Sequence, residues 1–287
     1  MIEPAEQQKI AEVLGDPTIH LQSITGGDIS DAFLLKGSKR NYFLKINRKQ
    51  NAEALFQTEA KGLTLLTPHC NTPELIKQGT FQNKKGAFLI LEFIEPGKKD
   101  NDFWISFGRA LAKLHQVSAL QFGLDHENFI GRLAQLNNYT NTWAEFYATQ
   151  RLIPQVKMAF DNNTLPATLL SHFDKLYNKL ENLCPIEKPS LTHGDLWSGN
   201  FIASKNQQAF FIDPSVSFAH REMDLAMTKL FGGFKEPFYE SYNNAFTLEQ
   251  NFEERVSLYQ LYYLLVHLNM FGTSYLGSVK QVLLKYV

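Results

Sequence analysis

Apolar positions recur with two different periods along the first third of the chain. Helical spacing predicts a helix over residues 3–14 and a longer one over residues 51–66. Residues 19–46 instead form short apolar or alternating stretches between polar turns, which predicts strands. Two further strand patterns lie near residues 74–79 and 87–93, on either side of a hairpin loop. This part of the chain is therefore predicted to be a β-rich layer that carries one long helix.

The pattern breaks at Ile94-Glu95-Pro96-Gly97 and turns mainly helical afterwards. Two short β-prone pieces, Ser190–Thr192 and Phe210–Ile212, interrupt the helical part. Helical periods are predicted over residues 101–117, 139–159, 167–183, 222–231, 235–243 and 251–271. A change from strand to helix spacing at a Pro-Gly break is typical of a boundary between two lobes.

The predicted division gives an N-terminal lobe over residues 1–92, a hinge over residues 93–97 and a helical lobe over residues 98–287. Hydrophobic residues make up 44% of the chain, which is ordinary for a folded protein and argues against disorder. The 23 Phe and 11 Tyr supply ample material for a core. The fold class expected from the order of elements is α+β.

Charge limits the partners that the chain can attract. The 28 Lys and Arg residues nearly balance the 29 Asp and Glu residues, so a net charge of −1 favours neither nucleic acid nor anionic lipid. The stretch Leu258–Met270 is interrupted by polar residues and is too short to span a bilayer. The acidic N-terminus lacks the pattern of a signal peptide, so a cytoplasmic location is expected. Cys70 and Cys184 form neither a disulfide framework nor a zinc-binding pattern.

The richest candidate chemistry lies between the two β-prone pieces. The segment His193-Gly194-Asp195-Leu196-Trp197-Ser198-Gly199-Asn200 is followed by Asp213, which comes directly after apolar residues. Phosphoryl transfer requires a carboxylate that orients the attacking hydroxyl, and divalent cations that neutralise phosphate charge. Asp195 suits the first role. Asn200 and Asp213 offer the hard oxygen atoms that Mg²⁺ prefers.

Residues upstream fit the same chemistry. Lys45 ends a predicted strand, and Glu59 lies in the middle of the following helix, in the order and spacing of a phosphate-orienting ion pair. Gly26 and Gly27 form a turn whose backbone could approach phosphates, although the turn matches neither common phosphate-binding glycine pattern. The segment Leu91–Ile94 joins the lobes, where backbone groups can hydrogen-bond an adenine edge.

With these residues in view, the chain resembles the fructosamine kinase (ketosamine kinase) family, within the protein-kinase-like group that includes aminoglycoside and choline kinases. The resemblance extends over nearly the whole chain. It is carried by Gly26-Gly27-Asp28-Ile29-Ser30, the His193–Asn200 segment with its Trp197, Asp213-Pro214-Ser215, His220-Arg221-Glu222-Met223-Asp224-Leu225-Ala226-Met227 and Phe231-Gly232-Gly233-Phe234. The resemblance implies a two-lobed protein-kinase-like fold.

The resemblance also implies an activity: phosphorylation, with ATP and Mg²⁺, of the sugar part of ketoamines, the adducts of sugars with amines. The phosphorylated product releases the amine, so the reaction repairs glycation. A free or protein-bound ketoamine would be the partner, and the chain would be a monomer or weak dimer. The implied roles are catalytic base for Asp195, metal ligands for Asn200 and Asp213, and nucleotide contacts for Lys45, Glu59, Gly26, Gly27, Glu92, Phe93 and Ile94.

The acceptor side is implied by four further residues. Trp197, His220, Arg221 and Asp224 would line or brace the part of the site that holds the sugar and amine. A plainer interpretation is that Arg221 and Asp224 only support the start of a helix and the catalytic segment.

Three other functions are compatible with parts of the pattern. An aminoglycoside or choline-type kinase would use the same base and metal ligands. A catalytically dead binding module is disfavoured because the full set of kinase residues is present. A metal-dependent hydrolase could use His193, Asp195 and Asp213, but would leave Asn200 and the Lys45–Glu59 pair without a role.

Overall fold

The computed structural model describes residues 2–24, 30–81 and 86–287. The first part contains a five-stranded antiparallel sheet in the order β1-β2-β3-β5-β4. Its strands are β1 (His20–Ser23), β2 (Asp31–Lys36), β3 (Asn41–Asn47), β4 (Leu75–Thr80) and β5 (Ala87–Glu92). Helix α1 (Pro4–Leu14) precedes the sheet, and α2 (Ala52–Leu66) connects β3 to β4. The predicted glycine turn at Gly26 and Gly27 lies outside the described residues.

The two faces of this sheet bury different apolar sets, and this fixes the direction of Lys45. Leu44 and Ile46 pack in the cluster that includes Ile10 of α1, whereas Leu89 packs in the cluster formed with α2. Successive side chains of a strand point to opposite faces. Lys45 therefore projects from the middle of β3 towards α2, away from α1.

The remaining chain is mainly helical, as expected. Its helices are α3 (Asn101–His115), α4 (Trp143–Phe146), α5 (Ile153–Asp161), α6 (Leu170–Tyr177), α7 (Leu180–Leu183), α8 (Glu222–Leu230), α9 (Glu236–Ala245), α10 (Phe252–Phe271) and α11 (Leu276–Tyr286). Among the described residues, none of the helices is both long and apolar enough to cross a bilayer. Helix α10 is central, since its residues Leu258, Leu261 and Leu265 are fully buried.

Three antiparallel strand pairs lie among these helices. They are β6 (Asn128–Ile130) with β7 (Leu133–Gln135), β8 (Ser190–Thr192) with β11 (Ser217–Ala219), and β9 (Phe201–Ala203) with β10 (Ala209–Phe211). The chain that leaves β5 is tied to β9, because the Gly97 N–H donates to the Ala203 carbonyl at 2.7 Å. The strand pairs thus place the catalytic segment beside the connection between the two parts.

The predicted helix over residues 139–159 differs from the observed structure. It begins at α4, where the Thr142 hydroxyl caps the Glu145 N–H, and residues Tyr147–Leu152 form a π-helix before α5. Pro154 has no N–H to donate, which disturbs regular α-helical bonding. The Arg151 side chain donates to the Gln150 carbonyl at 3.0 Å and satisfies that group instead.

Helix α11 was not predicted. Its buried residues Val279 and Leu283 are four positions apart and pack beneath α10. Its N-terminus follows Gly272, which ends α10 with a φ of +94°, and the short 3₁₀ turn Thr273–Tyr275. The helical spacing of the apolar residues was the available signal.

A glycine allows helices α3 and α9 of this part to pack closely together. A Cβ added at Gly108 of α3 would lie under 3.0 Å from the Phe238 carbonyl oxygen and the Ser241 hydroxyl of α9. We expect Gly108→Ala to lower the free energy of unfolding by about 1–3 kcal/mol, because the helices must separate. Gly277→Ala in α11 is the control: its Cβ would meet open space, so helix propensity should make it neutral or stabilising. Urea unfolding of both variants measures the difference, and equal stabilities would contradict the packing account.

Candidate active site

The catalytic segment follows β8 and turns sharply at Gly194. This residue has a φ of +84°, a left-handed backbone that L side chains rarely adopt. An added Cβ would also run into the carbonyl of Ser215. The loop is closed by the Ser215 N–H, which donates to the His193 carbonyl at 2.8 Å. Only glycine therefore allows the segment to approach the chain that follows Asp213.

The buried Asp224 carboxylate holds this turn by accepting hydrogen bonds from its backbone. Its two oxygens accept the backbone N–H groups of His193 at 2.7 Å and Gly194 at 2.8 Å. His115 Nε2 donates to the same carboxylate at 3.1 Å, and its Nδ1 meets the Tyr242 hydroxyl at 2.8 Å. Burial alone would raise the pKa of Asp224, but the hydrogen bond and charge of His115 outweigh it and lower the pKa. The carboxylate is therefore an ionised anchor beneath the loop.

His193 is used structurally at both ring nitrogens. Nε2 lies 2.9 Å from the Ile212 carbonyl, which can only accept, so Nε2 carries the proton. Nδ1 then accepts the Asp195 N–H at 3.3 Å. Neither nitrogen is left to bind a metal ion. The hydrolase interpretation, which needed His193 as a ligand, is therefore wrong.

Asp195 and Asn200 meet within one short loop. The Asn200 Nδ2 group donates to the Asp195 carboxylate at 3.0 Å and to its backbone carbonyl at 2.8 Å. Burial, followed by the negative charge of Asp213, raises the pKa of Asp195 to about 7. A carboxyl group with such a pKa can accept a proton near neutral pH, as general-base chemistry requires.

Lys45, Glu59 and Asp213 form an ion triad across the two parts of the chain. Lys45 Nζ lies 2.8 Å from Glu59 Oε1 and also contacts Asp213 Oδ1. Burial alone would lower the pKa of Lys45, but the charges of Asp213 and Glu59 raise it above its ordinary value. The ammonium group therefore stays charged, and the sheet, α2 and the chain after β10 converge on it.

Asn200 and Asp213 have the chemistry of a magnesium site. The Asn200 amide nitrogen is taken up by Asp195, which leaves the amide oxygen as an available ligand. The Asp213 side chain keeps 38% of its surface exposed and lines the cleft. Carboxylate and amide oxygens are ligands that Mg²⁺ accepts. The residues present thus fit a divalent cation that would neutralise phosphate charge.

A cleft of about 1040 Å³ brings these groups together. It reaches the connection after β5, where Glu92, Phe93 and Ile94 contribute to its wall. On the same side it is lined by Ile24, Ser30, Ala32, Phe43, Lys45, Leu55, Glu59, Ile202, Ile212 and Asp213. On the other side of Asp195 the wall is largely aromatic. The cleft can therefore hold a nucleotide-sized ligand beside a second, smaller molecule.

The residues predicted to line or brace the acceptor side lie in two different surroundings. Trp197 lines the cleft, but the buried side chains of His220, Arg221 and Asp224 do not. Arg221 is paired with Glu187 at 2.7 Å and bonds two backbone carbonyls after α9. These residues brace the helical part and do not face the cleft, as the plainer interpretation of Arg221 and Asp224 proposed.

Three residues near the site were not identified from the sequence. The Tyr263 hydroxyl donates to the Gly194 carbonyl at 3.0 Å, and His267 lines the cleft one helical turn later. His115 supports Asp224 from α3. The four-residue spacing of Tyr263 and His267 places them on one face of α10, and this was the signal that could have revealed them.

A five-stranded sheet, a cleft at the connection to a helical part, and the Lys45–Glu59–Asp213 arrangement define a protein-kinase-like fold. The chain belongs to the fructosamine kinase family, whose model matches residues 2–287. An Enterococcus faecium protein named a probable ketoamine kinase is 38% identical over 262 residues, covering 91% of this chain and 92% of that protein. An Arabidopsis thaliana protein named a chloroplastic protein-ribulosamine 3-kinase is 31% identical, covering 99% and 88%.

Solved structures agree on the fold. A Haemophilus somnus protein, provisionally designated a fructosamine-3-kinase, superposes with a TM-score of 0.86 at 28% identity and covers 98% of this chain and 96% of that one. The aminoglycoside phosphotransferase APH(4)-Ia, in a complex with ADP and hygromycin B, gives a TM-score of 0.65 over 97% of this chain and 98% of its own. At 16% identity this second likeness extends to the fold alone.

The anchor under the catalytic loop gives a test of stability. We expect Asp224→Asn to lower the free energy of unfolding at pH 7 by about 2–4 kcal/mol, because two backbone donors and His115 lose a charged acceptor. The folded pKa lies below the unfolded value of about 3.9. The stabilisation is therefore present above that value and is lost as the pH falls through the folded pKa.

Urea unfolding at pH 7 and near pH 3 measures this effect, and the gap between wild type and variant should narrow in acid. Asp161→Asn is the matched control, since its carboxylate is half-exposed and, within the described part of the chain, forms its ion pair with exposed Lys157. It should change stability by no more than about 0.5 kcal/mol. A gap that stayed constant with pH would argue against an ionised Asp224.

Proposed function

We propose that the chain is an ATP-dependent kinase that phosphorylates a sugar hydroxyl of ketoamines. The observation that carries the proposal is the meeting, in one cleft, of the Asp195 carboxylate with the Lys45–Glu59–Asp213 triad. Membership of the fructosamine kinase family and relatives named ketoamine and ribulosamine kinases support this acceptor class. In this proposal, loss of the phosphorylated sugar frees the amine and so repairs glycation.

The nucleotide would occupy the side of the cleft between the sheet and the connection after β5. Lys45 would contact its phosphates, with Glu59 holding the ammonium in place at 2.8 Å. Backbone groups of Glu92, Phe93 and Ile94 would meet the adenine edge. Complexes of APH(4)-Ia with ADP support nucleotide use within this fold. Magnesium, held by Asn200 and Asp213, would supply charge neutralisation for the phosphates.

Asp195 would act on the acceptor. Its carboxylate orients the sugar hydroxyl and takes the proton as the hydroxyl oxygen bonds to the γ-phosphorus and the bond to the ADP oxygen breaks. Two hydrogen bonds from Asn200 fix the position of Asp195. The apolar surroundings that raise the Asp195 pKa to about 7 make the carboxylate a better proton acceptor than an exposed one.

In this proposal, different parts of the chain carry different parts of the reaction. We infer a nucleotide-binding lobe over residues 1–92, a hinge over 93–97 and a catalytic helical lobe over 98–287. Phosphoryl transfer would then take place where the lobes meet. Lys45 and Glu59 would come from the first lobe and Asp195 from the second.

A substrate panel tests the acceptor class. We expect ATP consumption with fructosyl- or ribulosyl-amines and much less with an aminoglycoside, because the described aromatic residues beyond Asp195 offer no carboxylate for a multiply charged ligand. Choline completes the panel as a singly charged acceptor without a sugar. The phosphate position on the product should be determined in the same experiment. No turnover on any ketoamine would overturn the proposal, and turnover on an aminoglycoside alone would favour the related kinase class.

Replacement of the proposed base tests the mechanism. Asp195→Asn should reduce kcat by about 10²–10⁴-fold, the usual contribution of a positioned general base, while nucleotide affinity stays close to wild type. Asp174→Asn, on the exposed face of α6, is the control and should leave kcat unchanged. Steady-state kinetics and nucleotide titration provide the two readouts. Unchanged turnover in the Asp195 variant would rule out its role as the base.

A further inference from the structure

Four aromatic side chains enclose one corner of the cleft beyond Asp195. We call Phe231, His267, Phe271 and Tyr275 the aromatic enclosure; all four line the cleft. The His267 ring lies 4.8 Å from Phe231, 5.4 Å from Phe271 and 5.1 Å from Tyr275, measured between ring centroids. Phe231 and Phe271 remain 42% and 46% exposed, although large apolar side chains are normally buried. The rings therefore pack around His267 and form one continuous aromatic wall of the cleft, against which a ligand could lie.

The hydrogen bonding of His267 determines which polar atom the enclosure offers to a ligand. Nδ1 lies 2.8 Å from the Tyr263 backbone carbonyl, which can only accept a hydrogen bond. Nδ1 must therefore carry the proton, and Nε2 of the neutral ring is an acceptor. Burial lowers the pKa of His267, which favours the neutral ring at physiological pH. The enclosure thus presents the lone pair of His267 Nε2 among several aromatic rings.

The charges around the enclosure indicate which class of ligand it can bind. The carboxylates among the described lining residues are Glu59, Glu92, Asp195 and Asp213, and none belongs to the enclosure. Aromatic rings attract a single cation through their negative faces, at centroid distances up to about 6 Å. A ligand with several ammonium groups would lack partners here. One ammonium group with apolar substituents would satisfy both the rings and the His267 acceptor.

Position links the enclosure to the catalytic loop. Tyr263 donates to the Gly194 carbonyl, next to Asp195, and His267 follows one turn later on the same helix. One turn of four residues advances about 6 Å along the axis. Trp197 of the catalytic loop also approaches Phe231, with 6.3 Å between ring centroids. A small molecule can therefore reach Asp195 at one end and the enclosure at the other.

We propose that the aromatic enclosure binds the protonated amine nitrogen of the ketoamine, with His267 Nε2 accepting its N–H and the rings of Phe231, Phe271 and Tyr275 facing its charge. This inference rests on the proposed function and assigns the determinant of acceptor specificity within it. In a ketoamine phosphorylated at its third carbon, a chain of three carbons separates the nitrogen from the reacting hydroxyl. In this proposal the nitrogen lies in the enclosure and the hydroxyl lies at Asp195, the two ends of that short chain.

The test compares a simple N-alkyl fructosylamine with its ether isostere, in which oxygen replaces the nitrogen. His267→Phe keeps an aromatic ring but removes the acceptor. It should reduce kcat/KM for the amine by about 10- to 100-fold, mainly through KM, and change the value for the ether by no more than about twofold. His267→Gln supplies an amide oxygen and should recover part of the loss. Phe271→Leu should lower kcat/KM for the amine by about threefold to tenfold.

Two controls match these changes. His172 makes the same contact from Nδ1 to the carbonyl four residues earlier, so His172→Phe removes a similar histidine away from the cleft. Phe160 is 41% exposed, like the enclosure rings, and Phe160→Leu removes an equivalent surface aromatic. Both control variants should leave kcat/KM unchanged for both substrates. Thermal unfolding confirms that each variant is folded.

Calorimetric binding of the amine and the ether, with ADP present, separates the inference from the proposed function. If the chain phosphorylates the amine but His267→Phe changes neither its binding nor its kcat/KM, the enclosure is not the amine site. An equal loss for amine and ether also overturns the inference, because His267 would then only shape the cleft. If neither compound is phosphorylated but His267→Phe still weakens binding of the amine alone, the proposed function falls and the amine site stands.

Discussion

The hydrogen bonds from the backbone of the catalytic turn to the buried Asp224 carboxylate determine the geometry of the site. Two consecutive N–H groups, those of His193 and Gly194, point at its oxygens. A backbone held at two successive amides has little freedom, so Asp195 projects in one direction. His115, from α3, secures the carboxylate from the opposite side. The direction of the catalytic side chain therefore depends on groups that lie below the surface of the cleft.

The second constraint is the ion triad that connects the sheet to the helical part. Lys45 and Glu59 come from β3 and α2, whereas Asp213 follows β10. Because the ammonium is nearly buried, each carboxylate offsets part of its desolvation cost, and removal of either would leave charge poorly compensated. The interaction thus stabilises the same arrangement that a nucleotide phosphate would require.

The sequence predicted those parts of the site that depend on local spacing. The order and spacing of Lys45 and Glu59 indicated their pairing, which the structure contains at 2.8 Å, and the short interval between Asp195 and Asn200 placed both residues in one loop. The protein-kinase-like fold and the family are likewise confirmed. Pairs of residues that are distant in sequence could not be predicted from local spacing. Glu187 contacts Arg221 across 34 positions, and no local pattern indicates this pair. The sequence therefore left open whether Arg221 lines or braces the acceptor side, and in the structure it is a buried brace.

Helical irregularities were also hard to predict. Apolar periodicity does not distinguish an α-helix from the π-helix at residues 147–152, because both bury a stripe of side chains. The spacing of Tyr263 and His267 was visible, but whether that face of α10 met a protein core or an open cleft depended on the packing of the whole helical part.

The backbone at Asp213 has a φ of +54°, in the region that glycine, asparagine and aspartate tolerate best. Of these three residues, only aspartate carries the negative charge that Lys45 requires. Glutamate would keep the charge but strain the chain, and asparagine would keep the conformation but lose the charge. The backbone conformation and the negative charge are independent requirements, and aspartate is the amino acid that meets both at this position. Sequence changes that preserve the site must therefore leave Asp213 unchanged.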